Sequence, residues 1–307
     1  MIALGAVASA TLAAFMTLGI RGDVLFAMEL RGVRLLALIQ VAIAVAVSTV
    51  VFQTVTANRI LTPSIMGMDA LYVLLQTGLV LGFGAIGFAG LDPIVKFAGE
   101  AGLMLLLALA LFLPMLKARG DLTLLLLAGV VLGVLFRSLN ALLARLADPN
   151  DFAVAQGASF ADFNTVNEAL VVPCLALTLL GAMAAWRARH VLDIMALGPE
   201  NAIGLGIAWQ AAATLLLMLT GLLVAVSTAL VGPVTFLGLL VVALAERIAG
   251  TRRQGPLLLA AVFTAVAVLV GGQTVLQHVF GNALPLGVVV EFAGGIVFLV
   301  LLFARRR

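Results

Sequence analysis

Apolar residues occupy ten long runs, at about residues 2–20, 35–56, 66–89, 98–116, 122–143, 169–186, 206–230, 234–248, 256–276 and 285–304. Polar and turn-forming residues separate most of them: Arg21 to Arg34, Asn58 to Pro63, Lys117 to Asp121, Ala147 to Asn167, Arg187 to Gly204, Gly250 to Gly255, and Gln277 to Ala283. The eighth run is short and starts at Gly232-Pro233. Strands of a membrane barrel alternate apolar and polar positions. Runs such as Leu122 to Phe136 do not alternate, so they are predicted to be helices. A helix needs ~20 apolar residues to cross a bilayer. The pattern therefore predicts an all-α, polytopic integral membrane protein of about ten transmembrane helices. It shows no linker, so residues 1–307 read as a single transmembrane domain.

Composition narrows the class further. Of the 307 residues, 64% are hydrophobic and only 10% charged, with 17 Lys+Arg against 14 Asp+Glu for a net charge of +3. A soluble domain is about half apolar and about a quarter charged, so neither a water-facing globule nor a disordered chain fits. The single cysteine, Cys174, allows no intrachain disulfide and no cysteine-based metal site; it reads as a small packing residue. The basic residues are scattered without aromatic interleaving, which points to membrane lipid and loop anchoring and not to nucleic acid. With Met1 inside and ten crossings, Arg59, Lys117, Arg119, Arg187, Arg189, Arg247, Arg252, Arg253 and Arg305 to Arg307 lie inside. Arg21, Arg31, Arg34, Lys96, Arg137 and Arg145 lie outside or toward it. That is eleven against six, so both termini are expected to be cytoplasmic. Residues 1–20 carry no Lys or Arg; they lack the positive region of a signal peptide and read as a retained first span.

No catalytic set is visible. His190 and His278 are far apart and outside any metal-ligand spacing, and no glycine-rich phosphate loop with its lysine occurs. The chain is expected not to be an enzyme, and no metal site or cofactor is implied. Asp148 and Asp151 read as loop solvation and helix capping. Gly78-Leu-Val-Leu-Gly82 and Gly129-Val-Val-Leu-Gly133 are small-xxx-small patterns for close helix packing within one subunit. Charges inside spans are functional candidates by default. Arg137 lies fifteen residues beyond Leu122, about 22 Å along a core about 30 Å thick. Glu291 lies six residues past Pro285, about 9 Å in from the opposite, outer boundary. Both fall at similar depth in the outer third, either facing a passage or forming a buried ion pair. Asp69 reads as a local cap or partner without transport work.

Three segments carry more information. The first is Asn58-Arg-Ile-Leu-Thr-Pro-Ser-Ile-Met-Gly67, where Asn and Pro stop one helix and Ser64 can cap the next. The second is Asp193-Ile-Met-Ala-Leu-Gly-Pro-Glu-Asn-Ala-Ile-Gly-Leu-Gly206, a loop that alternates small and apolar residues and holds few charges. That composition suits a surface covered by a partner. The third is Gly232-Pro-Val-Thr-Phe-Leu-Gly-Leu-Leu-Val-Val-Ala-Leu-Ala-Glu-Arg247. In order and spacing they resemble the FecCD-type permease subunits of bacterial ABC importers for ferric siderophores, haem and cobalamin. Leu125-Leu-Leu-Ala-Gly129 and Leu284-Pro-Leu-Gly-Val-Val-Val290 add to the likeness. Asn58, Pro63, Gly67, Gly232, Pro233, Phe236 and Gly238 match structural motifs of the family. Arg59 stands where the family has its first Pro, and Val242-Ala243 where it has Pro-His. The resemblance runs from about residue 30 to the C-terminus. Asp148-Pro-Asn-Asp-Phe152 and Gln277-His-Val-Phe280 favour the ferric-siderophore branch, with catecholate-type members in view.

The resemblance implies a permease dimer (homo- or heterodimer), two ATP-binding subunits and an extracytoplasmic substrate-binding protein in the bacterial cytoplasmic (inner) membrane. The loop at about 190–206 would form coupling helices seated in the ATPase, through Ala196, Leu197, Gly198, Glu200, Ala202, Leu205 and Gly206. ATP binding would move them as rigid bodies and alternate the open side of the dimer. Arg31 and Arg34 have the spacing of the family's docking arginines for the binding protein. In the family the fifth and tenth spans line the translocation path, which places Arg137 and Glu291 on it. The other class in view is an ion-coupled secondary transporter of a small solute, which needs carboxylates and broken helices at mid-membrane.

Overall fold

The computed structural model describes residues 2–19, 24–117, 122–281 and 285–304. The expectations for Arg21, Arg119, Asp121 and Arg305 to Arg307 lie outside the described residues, as does the side chain of Lys117. The described residues form helices and no strands. In chain order these are α1 (Ile2–Thr17), α2 (Val24–Val55), α3 (Met68–Ala89), α4 (Pro93–Lys117), α5 (Leu122–Leu146), α6 (Pro149–Ala158), α7 (Glu168–Arg187), α8 (Arg189–Met195), α9 (Pro199–Gly204), α10 (Trp209–Val231), α11 (Leu237–Ala249), α12 (Gln254–Val279) and α13 (Leu286–Ala304). Every apolar run is helical. The three additions, α6, α8 and α9, are short helices within the polar connections.

Among the described residues, seven segments are long and apolar enough to cross a membrane: Met28–Val55, Met68–Ala89, Pro93–Pro114, Leu126–Leu146, Glu168–Arg187, Trp209–Val231 and Gln254–Val279. Ile2–Thr17 and Leu286–Val297 are apolar but shorter. Helix α11 has 13 residues, about 20 Å of helix, and follows a break in the chain. Ten apolar helices are thus present, but their lengths alone support seven crossings.

Helix α2 is longer than the hydrophobic pattern predicts. It starts at Val24 and takes in Glu29, Arg31 and Arg34, which lie in the polar stretch before the second apolar run. Helix-favouring Leu, Met, Glu and Arg dominate this stretch. Beyond it, α2 is the central helix. Leu38, Val41, Val47, Val51 and Phe52 are buried where α2 packs against α7, α10 and α12. Helices α3, α4 and α5 form an outer layer that leaves Phe83, Ile86, Leu106, Leu127 and Val131 exposed. In lipid such a surface carries no hydrophobic penalty.

Two chain breaks interrupt the bundle. After α2, the Asn58 side chain accepts from Ile60 N at 3.0 Å and the Gln53 amide donates to the Arg59 carbonyl at 2.8 Å. A single 3-10 turn, Pro63–Met66, then runs into Gly67, at φ 85°. A Cβ on Gly67 would lie 2.8 Å from both Cα and N of Gly133 in mid-α5. The Gly129 and Gly133 pair therefore packs within the subunit, against this turn. Around Gly78 and Gly82 nothing lies within 4 Å of an added Cβ. The second break, Gly232 to Phe236, separates α10 from α11 and lies against Phe160 and Ala161.

Candidate functional site

The two breaks, three helices and the connection after α6 line an open cavity of about 450 Å³. Ser64 and Ile65 come from the first break, Pro233 and Thr235 from the second, Asp69 from α3, Arg137 and Asn140 from α5, and Gly287 and Glu291 from α13. Irregular backbone is tolerated at membrane depth where it lines a cavity, and proline at each break removes an amide donor that would otherwise need a partner. The Thr235 hydroxyl donates to Asp69 Oδ2 at 3.1 Å, which ties α3 to the second break. Behind Asp69 lies a pocket of about 20 Å³, also lined by Ser48, Thr49, Ser227 and Thr228; it has room for about one water molecule.

The structure thus brings Arg137 and Glu291 onto one cavity and adds Asp69, to which the sequence assigned only a local role. Among the described residues the side-chain ion pairs are Arg59 with Glu246 at 3.0 Å and Lys96 with Glu100 at 3.9 Å. Arg137 and Glu291 form none, so both charges remain available to an occupant. Asn140 Oδ1 on the same wall is buried without a hydrogen-bond donor. A cavity with one guanidinium, two carboxylates, an amide and several hydroxyls suits a polar cargo carrying its own donors and acceptors.

The motif residues hold this site in place. Asn58, Pro63 and Gly67 shape the first wall, and Gly232 and Pro233 the second. Phe236 caps α11 and packs beside Gly294 of α13. Gly238 lets α11 close onto Thr49 of α2. Asp151 also has a defined role: its Oδ1 accepts from Ala85 N at 3.0 Å, just beyond the non-helical Gly84 of α3. It caps the last turn of a broken helix instead of its own.

The 189–206 connection folds as α8, a turn at Ala196 to Gly198, and α9. Leu192, Met195 and Ala202 are buried beneath it. Leu197, Ile203 and Leu205 are 56%, 59% and 61% exposed, beside exposed Ala196, Glu200 and Gly206 and half-buried Gly198. Of the predicted coupling residues, Ala202 is turned inward and supports the surface without forming part of it.

The two predicted docking arginines separate. Arg31 is only 8% exposed; its Nη1 donates to the carbonyls of Phe15, Met16 and Leu18 at 3.0, 3.4 and 2.7 Å. It closes the C-terminus of α1, where a cation also complements the helix dipole. Arg31 is buried against α1, while Arg34, almost one turn on, stays half-exposed. His278 at the end of α12 reaches the same corner, with Nε2 3.1 Å from the Leu18 carbonyl.

Sequence reasoning missed one further group. Glu100 in α4 is 3% exposed. It accepts from the Gln76 amide at 2.9 Å and pairs with Lys96, whose Nζ lies 4.0 Å from the centre of the Phe88 ring. The i,i+4 spacing of Lys96 and Glu100 was the available signal.

A bundle of apolar helices, seven of them long enough to cross a bilayer, around a cavity lined by polar groups defines a multi-pass membrane protein. The model of the FecCD transport family matches residues 2–304, and the chain belongs to that family. It is 42% identical over 265 residues to the Petrobactin import system permease protein YclO of Bacillus subtilis, covering 86% of this chain and 84% of that one. It is 30% identical to the petrobactin permease FatC of Bacillus anthracis, covering 90% and 78% of the two chains. The vitamin B12 permease BtuC of Yersinia enterocolitica is 29% identical, over 91% and 82%. A metal-chelate type ABC transporter solved in an inward-facing conformation shares the fold, with a TM-score of 0.83 at 22% identity over 98% of this chain and 97% of that one.

Proposed function

We propose that this chain is the membrane-spanning permease subunit of a binding-protein-dependent ABC importer and that it carries a ferric siderophore, of the catecholate type, across the bacterial cytoplasmic membrane. The observation that carries this is the 42% identity to a petrobactin permease along 86% of the chain. The shared cavity of Arg137, Glu291 and Asp69 supplies a polar passage consistent with it. In this reading all ten apolar helices enter the bilayer, α11 as a partial one, and both termini are cytoplasmic. Two permeases form the conduit, two ATPase subunits seat on the α8–α9 surface, and the binding protein docks at the opposite end, near Arg34. Hydrolysis belongs to the ATPase chains.

Arg137 attracts an anionic chelate into the passage, and Glu291 and Asp69 prevent it from being held too tightly. The test is ATP-dependent uptake of a ferric catecholate chelate by vesicles holding the permease with its ATPase and binding protein. Arg137→Gln is expected to lower uptake about tenfold, equivalent to about 1.4 kcal/mol, with an unchanged yield of folded protein. Uptake without ATP, or no uptake of any ferric chelate by the wild-type assembly, overturns the reading. Equal loss of folded protein and uptake in Arg137→Gln would make Arg137 a structural residue.

A further inference from the structure

An ATPase-driven surface at α8–α9 transmits motion only if it is tied to the spans and not merely tethered by a loop. Two contacts tie α8 to the first turn of α12. Asp193 Oδ1 accepts from the backbone N–H of Gln254 at 2.6 Å, satisfying the first of the amides that have no partner within α12. Arg253, which occupies the N-cap position itself, makes no side-chain cap bond. The second contact is steric. A Cβ on Gly255 would meet Arg189 Cδ at 3.3 Å, so α8 lies directly on the α12 backbone. Arg189 is itself fixed: it donates to the Trp186 carbonyl at 3.1 Å and stacks 4.9 Å over the Trp186 ring.

The connection continues into α2. The Gln254 side chain is 5% exposed, and Thr54 shares its hydroxyl between Gln254 Oε1 at 3.2 Å and the Val50 carbonyl at 2.8 Å. Five residues earlier on the same helix, about 7.5 Å along it, Thr49 packs on Gly238 and lines the small pocket that holds Asp69. Hydrogen-bonded groups therefore run from α8 through α12 to α2, and α2 itself continues to the small pocket behind Asp69. Energetic coupling is carried through contiguous networks of this kind.

We propose that Asp193 is the positioning residue that locks the coupling helix to α12 and, through Gln254 and Thr54, to α2. Displacement of α8 is then delivered to these two helices together. The inference rests on the permease reading above and goes beyond it by naming the joint. A carboxylate on a helix N-terminus is a charge-assisted acceptor, stronger than the hydroxyl link beyond it. The joint therefore moves with α8, and slippage is expected first at Thr54.

The test uses the complete assembly in vesicles, with ATP hydrolysis and chelate uptake measured side by side. Asp193→Ala is expected to retain the ATPase subunits and basal hydrolysis while uptake per ATP falls about tenfold. Asp193→Asn keeps an acceptor oxygen and should recover at least half of the uptake, which a general packing role for the charge would not produce. Thr54→Val should lower uptake per ATP about threefold, and the double variant should be no worse than Asp193→Ala, because neighbours in one network do not add. Wild-type uptake per ATP in Asp193→Ala, loss of the ATPase subunits from it, or fully additive losses in the double variant overturn the proposal. Absence of ATP-dependent uptake in the wild-type assembly would instead defeat the permease reading, so the two failures are distinguishable.

Discussion

The cavity and the α8–α9 surface have opposite polarity relative to their surroundings. The cavity places Asp69, Arg137, Asn140 and Glu291 among apolar helices, where polar groups are costly. The α8–α9 surface presents Leu197, Ile203 and Leu205 from a polar connection, where exposed apolar groups gain nothing. Of these polar groups Asp69 has an internal partner in Thr235, whereas Arg137 and Glu291 form no ion pair among the described residues. The exposed apolar groups are shielded from water only where another surface covers them. A polar patch in a membrane domain and an apolar patch on a loop are thus equally informative departures from the local rule.

The largest expected effect breaks the comparison at its apolar side. Placing glutamates at both Ile203 and Leu205 leaves the fold unchanged, because both side chains are exposed. It should abolish co-purification of the ATPase subunits. An unpaired charge in a closed interface costs about 3–5 kcal/mol, so affinity should fall at least a hundredfold. Retention of the ATPase by the double variant would show that this surface is not the seat. The thermal midpoint of the isolated permease should stay within about a degree of wild type.

The next prediction sets one glycine from each region side by side. Gly67 and Gly206 both have φ 85°, so alanine imposes the same backbone penalty at each, about 1–2 kcal/mol. They differ in what surrounds them. At Gly67 the new methyl would lie 2.8 Å from the Gly133 backbone, while at Gly206 nothing lies within 4 Å. Gly67→Ala should therefore cost the strain plus an overpacking term of about 1–3 kcal/mol, and Gly206→Ala the strain alone. Thermal unfolding in detergent measures both. Equal shifts would mean that the close approach of the first break to α5 does not stabilise the cavity wall.

Much of this was legible beforehand, for physical reasons. Lipid makes apolar runs obligatory, so each of the ten runs became a helix. Pro63 and Gly232-Pro233 announced the breaks because proline cannot continue a helix and glycine admits conformations other residues avoid. Arg137 and Glu291 were visible as charges inside spans, and helix rise alone placed them at similar depth. Asp69 was undervalued because its meaning depends on Thr235, 166 residues away, a proximity that no local spacing encodes. The contact of Asp193 with α12 is hidden for the same reason, since its partner is the Gln254 backbone, which carries no sequence signal. One-dimensional spacing pairs Arg31 with Arg34, whereas in the fold the C-terminus of α1 takes Arg31 inward.

That pair supplies the smallest expected effect and extends the comparison to the far end of the bundle. Arg31 behaves like Asp69, polar and internally satisfied; Arg34 is half-exposed, like parts of the α8–α9 surface. Arg31→Ala removes a charged donor from three α1 carbonyls and should destabilise the permease by about 1.5–3 kcal/mol. Residual uptake per folded molecule should be near normal. Arg34→Ala should change stability by no more than about 0.5 kcal/mol, as expected for a surface position. Arg34→Glu should weaken the binding protein about tenfold, or about 1.4 kcal/mol, with the loss growing smaller as salt is raised because exposed charges are screened. Affinity measured against the detergent-solubilised permease separates these outcomes. If Arg31→Ala weakened docking without altering the unfolding midpoint, its buried position would have been misjudged. If Arg34→Glu left affinity and its salt dependence unchanged, docking would have to rest on groups other than this arginine.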